Sequence, residues 1–210
     1  MKSTGTVLTL VVLATAVAAP AGITGFAGGP AAPGATLGPY TMTPFGADGR
    51  PLYTNVISVD SPLGGSVDFS IPLEHFRVGD GWATWSHGYL GDVYYTNGAS
   101  DVTMVLPDQT AAFYFYAEPD PYSEYTIVAT AQDGTQVIQG VNGGAGAAYY
   151  GFYGTGGSYI SSIAVTTPQP VAFAIGEFGI AGAAVPAPAG ILLAVIGTGI
   201  VGHLRRRKML

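Results

Sequence analysis

Hydrophobic and polar positions alternate along most of this chain in short runs, and Gly, Pro, Asn or Asp separate one run from the next. The runs are rich in β-branched and aromatic residues and recur at roughly the ten-residue spacing of strands in sandwiches and barrels. In "AFYFYAE", Phe113 and Phe115 fall on one side of a strand, and Tyr114 and Tyr116 fall on the other. The body shows no convincing amphipathic helix. The pattern predicts an all-β protein, specifically an antiparallel two-sheet β-sandwich of jelly-roll type.

Strand-like segments fill residues 54–182, which we predict as the β-sandwich domain. An Asp-Gly pair at 133–134 predicts a tight hairpin, and an Asn-Gly pair at 97–98 predicts a turn in a longer loop. Residues 28–53, rich in Pro, Gly and Ala, are predicted as a linker or irregular lead-in. The predicted strands are residues 54–59, 66–71, 92–96, 102–106, 111–117, 125–131, 135–139, 148–153, 160–166 and 171–180.

The first 27 residues predict a secretory signal peptide. Lys2 precedes an apolar stretch, residues 7–19, and small residues follow it, which is the order of parts in such peptides. Cleavage is predicted after Ala18 or Ala27. Each of these residues ends a three-residue segment whose first and last residues are small, as signal peptide cleavage requires. The alternatives are an uncleaved anchor and a buried first strand.

Residues 185–210 end the chain in three parts: a Pro-containing motif, an apolar segment and a basic cluster. The apolar segment, residues 191–204, is shorter than the roughly 20 residues that cross a bilayer. The basic cluster orients the end of the chain toward the cytoplasm. The motif consists of Val185, Pro186, Ala187, Pro188 and Ala189, and the cluster consists of Arg205, Arg206, Arg207 and Lys208.

This order of parts resembles the PEP-CTERM sorting signals of Gram-negative bacteria. In that family an exosortase, a membrane cysteine transpeptidase, recognises the Pro-containing motif, and the helix and basic tail are lost. Ala187 stands where the family usually has Glu, and in this respect the motif is closer to the VPLPA variant. The resemblance implies export, transient insertion in the inner membrane through the C-terminal helix, and a mature protein at the cell surface or outside the cell. A permanent tail anchor is the alternative.

The body, residues 60–181, resembles a β-sandwich domain that is common in PEP-CTERM proteins. The segments "SPLGGSVDFS", "WATWSHGYLGDVYYTNG" and "FAIGEFGIA" carry this resemblance. That domain family has no established biochemical activity. The resemblance therefore implies a fold and an export route, and it gives no catalytic residue.

The charge of the body excludes one class of partner. All thirteen Asp and Glu residues lie there, against Arg50 and Arg77 alone of the seven Lys and Arg, which leaves a net charge of −11. Nucleic-acid binding requires clustered basic residues, so we expect no nucleic-acid partner. The chain has no Cys, which excludes disulfides, thiolate catalysis and Cys-based metal sites.

No catalytic pattern stands out, and we predict that the protein is not an enzyme. The body holds His75 and His87 and no Lys, and the neighbouring positions of Ser86 and His87 suit a Ser–His pair poorly. An extracellular hydrolase, the less favoured alternative, requires two carboxylates that converge in one cleft.

Two clusters are candidate binding sites. "GWATWSHGYLGDVYY" supplies Trp82, Trp85 and Tyr89 as possible sugar-binding residues, although a core role is the favoured explanation. "AEPDPYSE" predicts an ordinary acidic turn, with Ca²⁺ binding as a weak alternative, so no cofactor is expected. The expected partners are the Sec machinery and an exosortase. The expected role is non-enzymatic, structural or interacting, at the cell surface or in the exopolysaccharide matrix of a biofilm, and the alternative is a carbohydrate-binding module.

Overall fold

The computed structural model describes residues 20–182, which form fifteen β-strands. The predicted sorting signal (residues 185–210) and the first 19 residues of the predicted signal peptide lie outside the described residues. The strands are β1 Gly22–Gly29, β2 Thr36–Leu37, β3 Tyr40–Thr41, β4 Thr43–Pro44, β5 Asn55–Asp60, β6 Ser66–Val78, β7 Gly81–Trp82, β8 Asp92–Tyr95, β9 Asp101–Val105, β10 Thr110–Pro119, β11 Glu124–Ala131, β12 Gln136–Asn142, β13 Ala148–Thr155, β14 Ser162–Thr166 and β15 Phe173–Gly182.

Thirteen of these strands form one continuous sheet in the order β1-β13-β10-β15-β8-β6-β9-β14-β11-β12, with β4, β5 and β7 attached beside β15 and β6. Its strand pairs are antiparallel except for β6 and β7. The sheet curls until its edge strands β1 and β12 approach each other, so it is nearly a barrel. This confirms the predicted all-β, antiparallel class. No helix long and apolar enough to span a membrane occurs between residues 20 and 182.

Side chains, rather than a backbone ladder, join the two edges of the sheet. The backbone N–H of Ile23 donates to Asp133 Oδ2 at 3.1 Å, and the N–H of Gly29 donates to Gln139 Oε1 at 3.1 Å. Gly25 permits the approach, because a Cβ there would lie 2.6 Å from a valine methyl on β12. We call this line of contact the seam.

The sheet begins earlier than the sequence pattern predicts. Strand β1 spans the end of the predicted signal peptide and the start of the predicted linker, and it pairs with β13 from Gly22↔Thr155 onward. Its sequence, GITGFAGG, contains four glycines and lacks the alternation of a half-buried strand. At Gly25 the seam requires a residue without a side chain, and the glycines leave the strand with a weak sequence signal.

The ten strands predicted in the body are all present, nine of them within three residues at each end, while β6 continues to Val78, seven residues beyond its predicted end. Phe113 and Phe115 join the main core, whereas Tyr114 and Tyr116 pack in a second cluster on the outer face, which confirms the predicted alternation. The turn prediction is also confirmed, since Gly134 has φ +90° between β11 and β12. The largest fully buried side chains of the main core include Leu73, Met104, Phe113, Phe115, Ile127 and Tyr150.

Candidate ligand-binding cleft

A row of four paired residues crosses the outer face of the sheet. Glu118 on β10 pairs with Ala174 on β15. Ala174 also pairs with Tyr95 on β8, and Tyr95 pairs in turn with Glu74 on β6. Because side chains alternate along a strand, this row faces away from the main core. The small Ala174 leaves space between Glu118 and Tyr95, and Trp82 packs against it there.

Four aromatic rings follow one another across the outer face, and one of them is Tyr95 of this row. The ring centroids of Tyr53 and Phe76 are 5.4 Å apart, those of Phe76 and Tyr95 6.0 Å, and those of Tyr95 and Trp82 5.6 Å. Tyr53 is 58% exposed, Phe76 and Tyr95 are half-buried, and Trp82 is only 7% exposed. We call these four residues the aromatic track, which descends from the surface to a buried indole.

A cleft of about 180 Å³ opens where the aromatic track ends, and we call it the Trp82 cleft. Among the described residues, its side chains are aromatic, acidic or small, and none is Lys, Arg or His. The side chains that give it chemical character are Phe76, Trp82, Thr84, Tyr95, Glu118, Asp120 and the 68%-exposed Tyr122.

Glu118 is 1% exposed, and its contacts are compatible with the protonated acid, which burial favours. The Thr84 hydroxyl contacts Glu118 Oε1 and also lies 2.9 Å from the carbonyl oxygen of Gly143. A hydroxyl has only one hydrogen, so it cannot donate to both acceptors. If Glu118 carries a proton on Oε1, it donates to Thr84, and Thr84 donates to Gly143. These two contacts use one hydrogen each, and they leave Glu118 Oε2 without a partner among the described residues.

Burial raises the pKa of Glu118 to about 7, against weaker opposing effects of Thr84 and Trp82. The Trp82 indole N–H lies close enough to lower this pKa, but its geometry falls short of a hydrogen bond, so Trp82 Nε1 and Glu118 Oε2 both lack a partner among the described residues. A buried donor and a buried acceptor therefore stand unsatisfied side by side beneath the cleft.

Replacing Glu118 with Gln is expected to change the free energy of unfolding more favourably above pH 7 than below pH 4.5. The folded-state pKa of about 7 exceeds the ordinary value of 4.5, so the stability that Glu118 contributes is complete below pH 4.5 and is lost as the pH rises through 7. Gln is neutral at every pH. At 1.36 kcal/mol per pKa unit, the relative gain at pH 8 is at most about 3 kcal/mol.

Urea unfolding at pH 4 and pH 8 measures this difference. Glu124→Gln is the matched control, because Glu124 is exposed and is expected to show no pH-dependent gain. An equal effect of Glu118→Gln at both pH values would contradict the prediction.

The structure separates the three aromatic residues that the sequence brought together as binding candidates. Trp82 lies in the Trp82 cleft, whereas Trp85 and Tyr89 pack against each other elsewhere, with ring centroids 6.1 Å apart. Trp85 Nε1 donates to Glu177 Oε2 at 2.9 Å, and the Tyr89 hydroxyl donates to the carbonyl oxygen of Asp92 at 3.2 Å. Trp85 and Tyr89 thus have structural contacts, and they do not line this cleft.

The two histidines of the body also have defined partners. His87 Nε2 lies 2.7 Å from Glu177 Oε1, which ties the segment between β7 and β8 to β15. The Ser86 hydroxyl donates to the Ala147 carbonyl and not to His87. His75 is fully buried, with Nε2 3.1 Å from Asp92 Oδ1.

The acidic turn does not form a metal site in the structure. Glu118 is buried and bonded to Thr84, while Asp120 and Glu124 are exposed. Across residues 20–182, no three His, Asp or Glu side chains converge in a way that suits a metal ion.

A larger groove of about 480 Å³ lies beside β1, lined by Phe26, Leu37, Tyr149 and Tyr153 with small residues between them. Within residues 20–182, no charged side chain lines this groove. Specific recognition of a polar ligand needs convergent polar groups, so the smaller Trp82 cleft is the better candidate.

The sequence offered a signal for part of the Trp82 cleft and none for the rest. It singled out Trp82 and, separately, Glu118 and Asp120, but the register that brings them together was not visible. Phe76 was missed, whereas Tyr95 and Tyr122 lie within the two segments singled out from the sequence but were not proposed as binding residues. No protein-family model matches this chain, and no curated protein matches it in sequence.

Proposed function

We propose that this chain is an exported, exosortase-sorted protein of the cell surface or extracellular matrix, with a non-enzymatic interaction role. Its terminal signals, on either side of an acidic all-β body, support this proposal. The finer fold prediction, a two-sheet jelly roll between a signal peptide and a C-terminal transmembrane helix, is part of the same proposal.

Mass spectrometry of the mature protein from strains with and without the exosortase tests the sorting step. We expect a peptide that contains Arg205 only in the exosortase-deficient strain. Replacing Pro186 and Pro188 with Ala is expected to retain that peptide in the normal strain. Identical processing in both strains would refute exosortase sorting.

The interaction that the geometry supports best is binding of a carbohydrate at the Trp82 cleft. The observation that carries it is the juxtaposition of exposed aromatic faces with unsatisfied polar atoms beneath them. The C–H face of a sugar ring packs on aromatic rings, while its hydroxyls bind carboxyl and indole groups. The volume of about 180 Å³ is below the roughly 300–1,000 Å³ of pockets for drug-sized ligands, so it suits a single ring.

The Trp82 cleft also brings Glu118 and Asp120 together, as a hydrolase requires. However, Oε1 of Glu118 is engaged by Thr84, and a carboxyl that donates its proton to Thr84 has none to give to a glycosidic oxygen. We therefore favour binding over hydrolysis. Release of new reducing ends from a bound oligosaccharide would reverse that preference.

Replacing Tyr122 with Ala is expected to weaken oligosaccharide binding about tenfold or more, which corresponds to about 1.4 kcal/mol. Tyr122 is 68% exposed, so the fold is expected to survive the change. Titration calorimetry with an oligosaccharide selected on a glycan array measures the loss. Tyr159→Ala is the control, because Tyr159 is 46% exposed and lies outside the cleft. Unchanged affinity in Tyr122→Ala would remove the cleft as the binding site.

A further inference from the structure

The Trp82 cleft lies in a region of negative charge. Asp120 lines it, Asp80 accepts a hydrogen bond from Tyr53 at the far end of the aromatic track, and Glu74 lies beside Tyr95. Burial together with the charges of Asp120 and Glu74 raises the pKa of Tyr95, as expected where the surrounding charge is negative.

The two basic residues of the described chain are already paired elsewhere. Arg77 donates from Nε and Nη2 to Asp92 Oδ1 at 3.2 and 3.0 Å. Arg50 binds Asp48 through Nε and Nη2, at 2.9 Å to Oδ1 and 2.5 Å to Oδ2. Since no described Lys, Arg or His lines the Trp82 cleft, a ligand carboxylate, sulfate or phosphate would meet no cation there and would lie close to Asp120.

The unsatisfied donor and acceptor beneath the cleft distinguish between an ammonium group and a hydroxyl group of the ligand. Trp82 Nε1 can only donate a hydrogen bond, and Glu118 Oε2 accepts one in both protonation states. An ammonium group only donates, so it leaves the indole N–H unpaired. A hydroxyl both donates and accepts, so it is able to satisfy both atoms at once.

We propose that the Trp82 cleft selects uncharged sugars over acidic ones, with a hydroxyl of the ligand between Trp82 Nε1 and Glu118 Oε2 and the ring against the aromatic track. This inference rests on the proposed carbohydrate-binding function and names its ligand class. Asp120 excludes acidic sugars, since like charges about 4 Å apart repel by ~1 kcal/mol in water and ~4 kcal/mol near a protein surface. A matrix polymer of neutral hexoses is the ligand class that fits.

The test titrates the mature protein with neutral glucan, mannan and galactan oligosaccharides and with the same oligosaccharides oxidised at C6 to uronates. We expect at least one neutral oligosaccharide to bind, and its uronate counterpart to bind tenfold more weakly or worse. Raising the salt concentration is expected to narrow the difference, because it screens the repulsion.

Two variants separate a specific role of Asp120 from the general acidity of the body. Asp120→Asn is expected to raise the affinity for the uronate by about tenfold and to leave the affinity for the neutral oligosaccharide nearly unchanged. Glu124→Gln, which removes one exposed charge from β11, is expected to change the ratio of the two affinities little.

The outcomes distinguish the two proposals. If no oligosaccharide binds, the carbohydrate-binding function itself fails. If a uronate binds as tightly as its neutral counterpart, binding stands and the selectivity is refuted. If a cationic glucosamine oligosaccharide binds more tightly than both, the assignment of the polar pair to a hydroxyl is refuted.

Discussion

Replacing Asp92 with Ala is expected to lower the free energy of unfolding by about 3–5 kcal/mol, since it breaks a buried, charged network. Asp92 is 6% exposed. Its Oδ1 accepts from His75 Nε2 at 3.1 Å and from Arg77, and its Oδ2 accepts from the backbone N–H of Asp48 at 2.7 Å. Without Asp92, the imidazole of the fully buried His75 keeps one polar contact among the described residues, between Nδ1 and the Pro51 carbonyl oxygen at 3.3 Å.

Urea unfolding of the variant at neutral pH measures this loss. Asp92→Asn keeps one acceptor and is expected to lose less than Asp92→Ala. Asp101→Ala is the matched control, because Asp101 is exposed and such substitutions usually fall within about 0.5 kcal/mol. A loss for Asp92→Ala as small as that of the control would show that the network contributes little.

Removing residues 22–27, as cleavage after Ala27 would, is expected to lower the free energy of unfolding by several kcal/mol. The deletion takes six paired positions of β1, from Gly22↔Thr155 to Ala27↔Tyr150, and it exposes the edge of β13. Each lost hydrogen bond contributes roughly 0.5–1.5 kcal/mol, and the seam contacts of Ile23 and Gly25 are lost as well.

The comparison uses two chains, one beginning at Ala19 and one at Gly28, and follows their thermal unfolding. We expect the longer chain to melt at a clearly higher temperature. Of the two predicted cleavage points, only the one after Ala18 leaves β1 whole. We therefore predict that the mature protein begins at Ala19. Mass spectrometry of the mature N-terminus checks this prediction. A mature chain that begins at Gly28 and melts no earlier would contradict both expectations.

The sequence predicted the strands of the body well because their alternation is a local property. It did not predict β1, since Gly25 is required by the close approach of β12, a contact between distant segments. It also missed the Trp82 cleft. Glu118, Ala174 and Tyr95 are adjacent only through strand register, and no spacing along the chain encodes that adjacency.

If the chain is exported as we propose, the pairing of β1 with β13 has a consequence for how it folds. Export proceeds from the N-terminus, so Gly22 emerges long before its partner Thr155. Until β13 follows, β1 has no ladder to join, and contacts so distant along the chain form slowly. We expect closure of the seam to be the last folding event. Until that event, the open edges of β12 and β13 are available to other chains, which is when an exported chaperone would matter most.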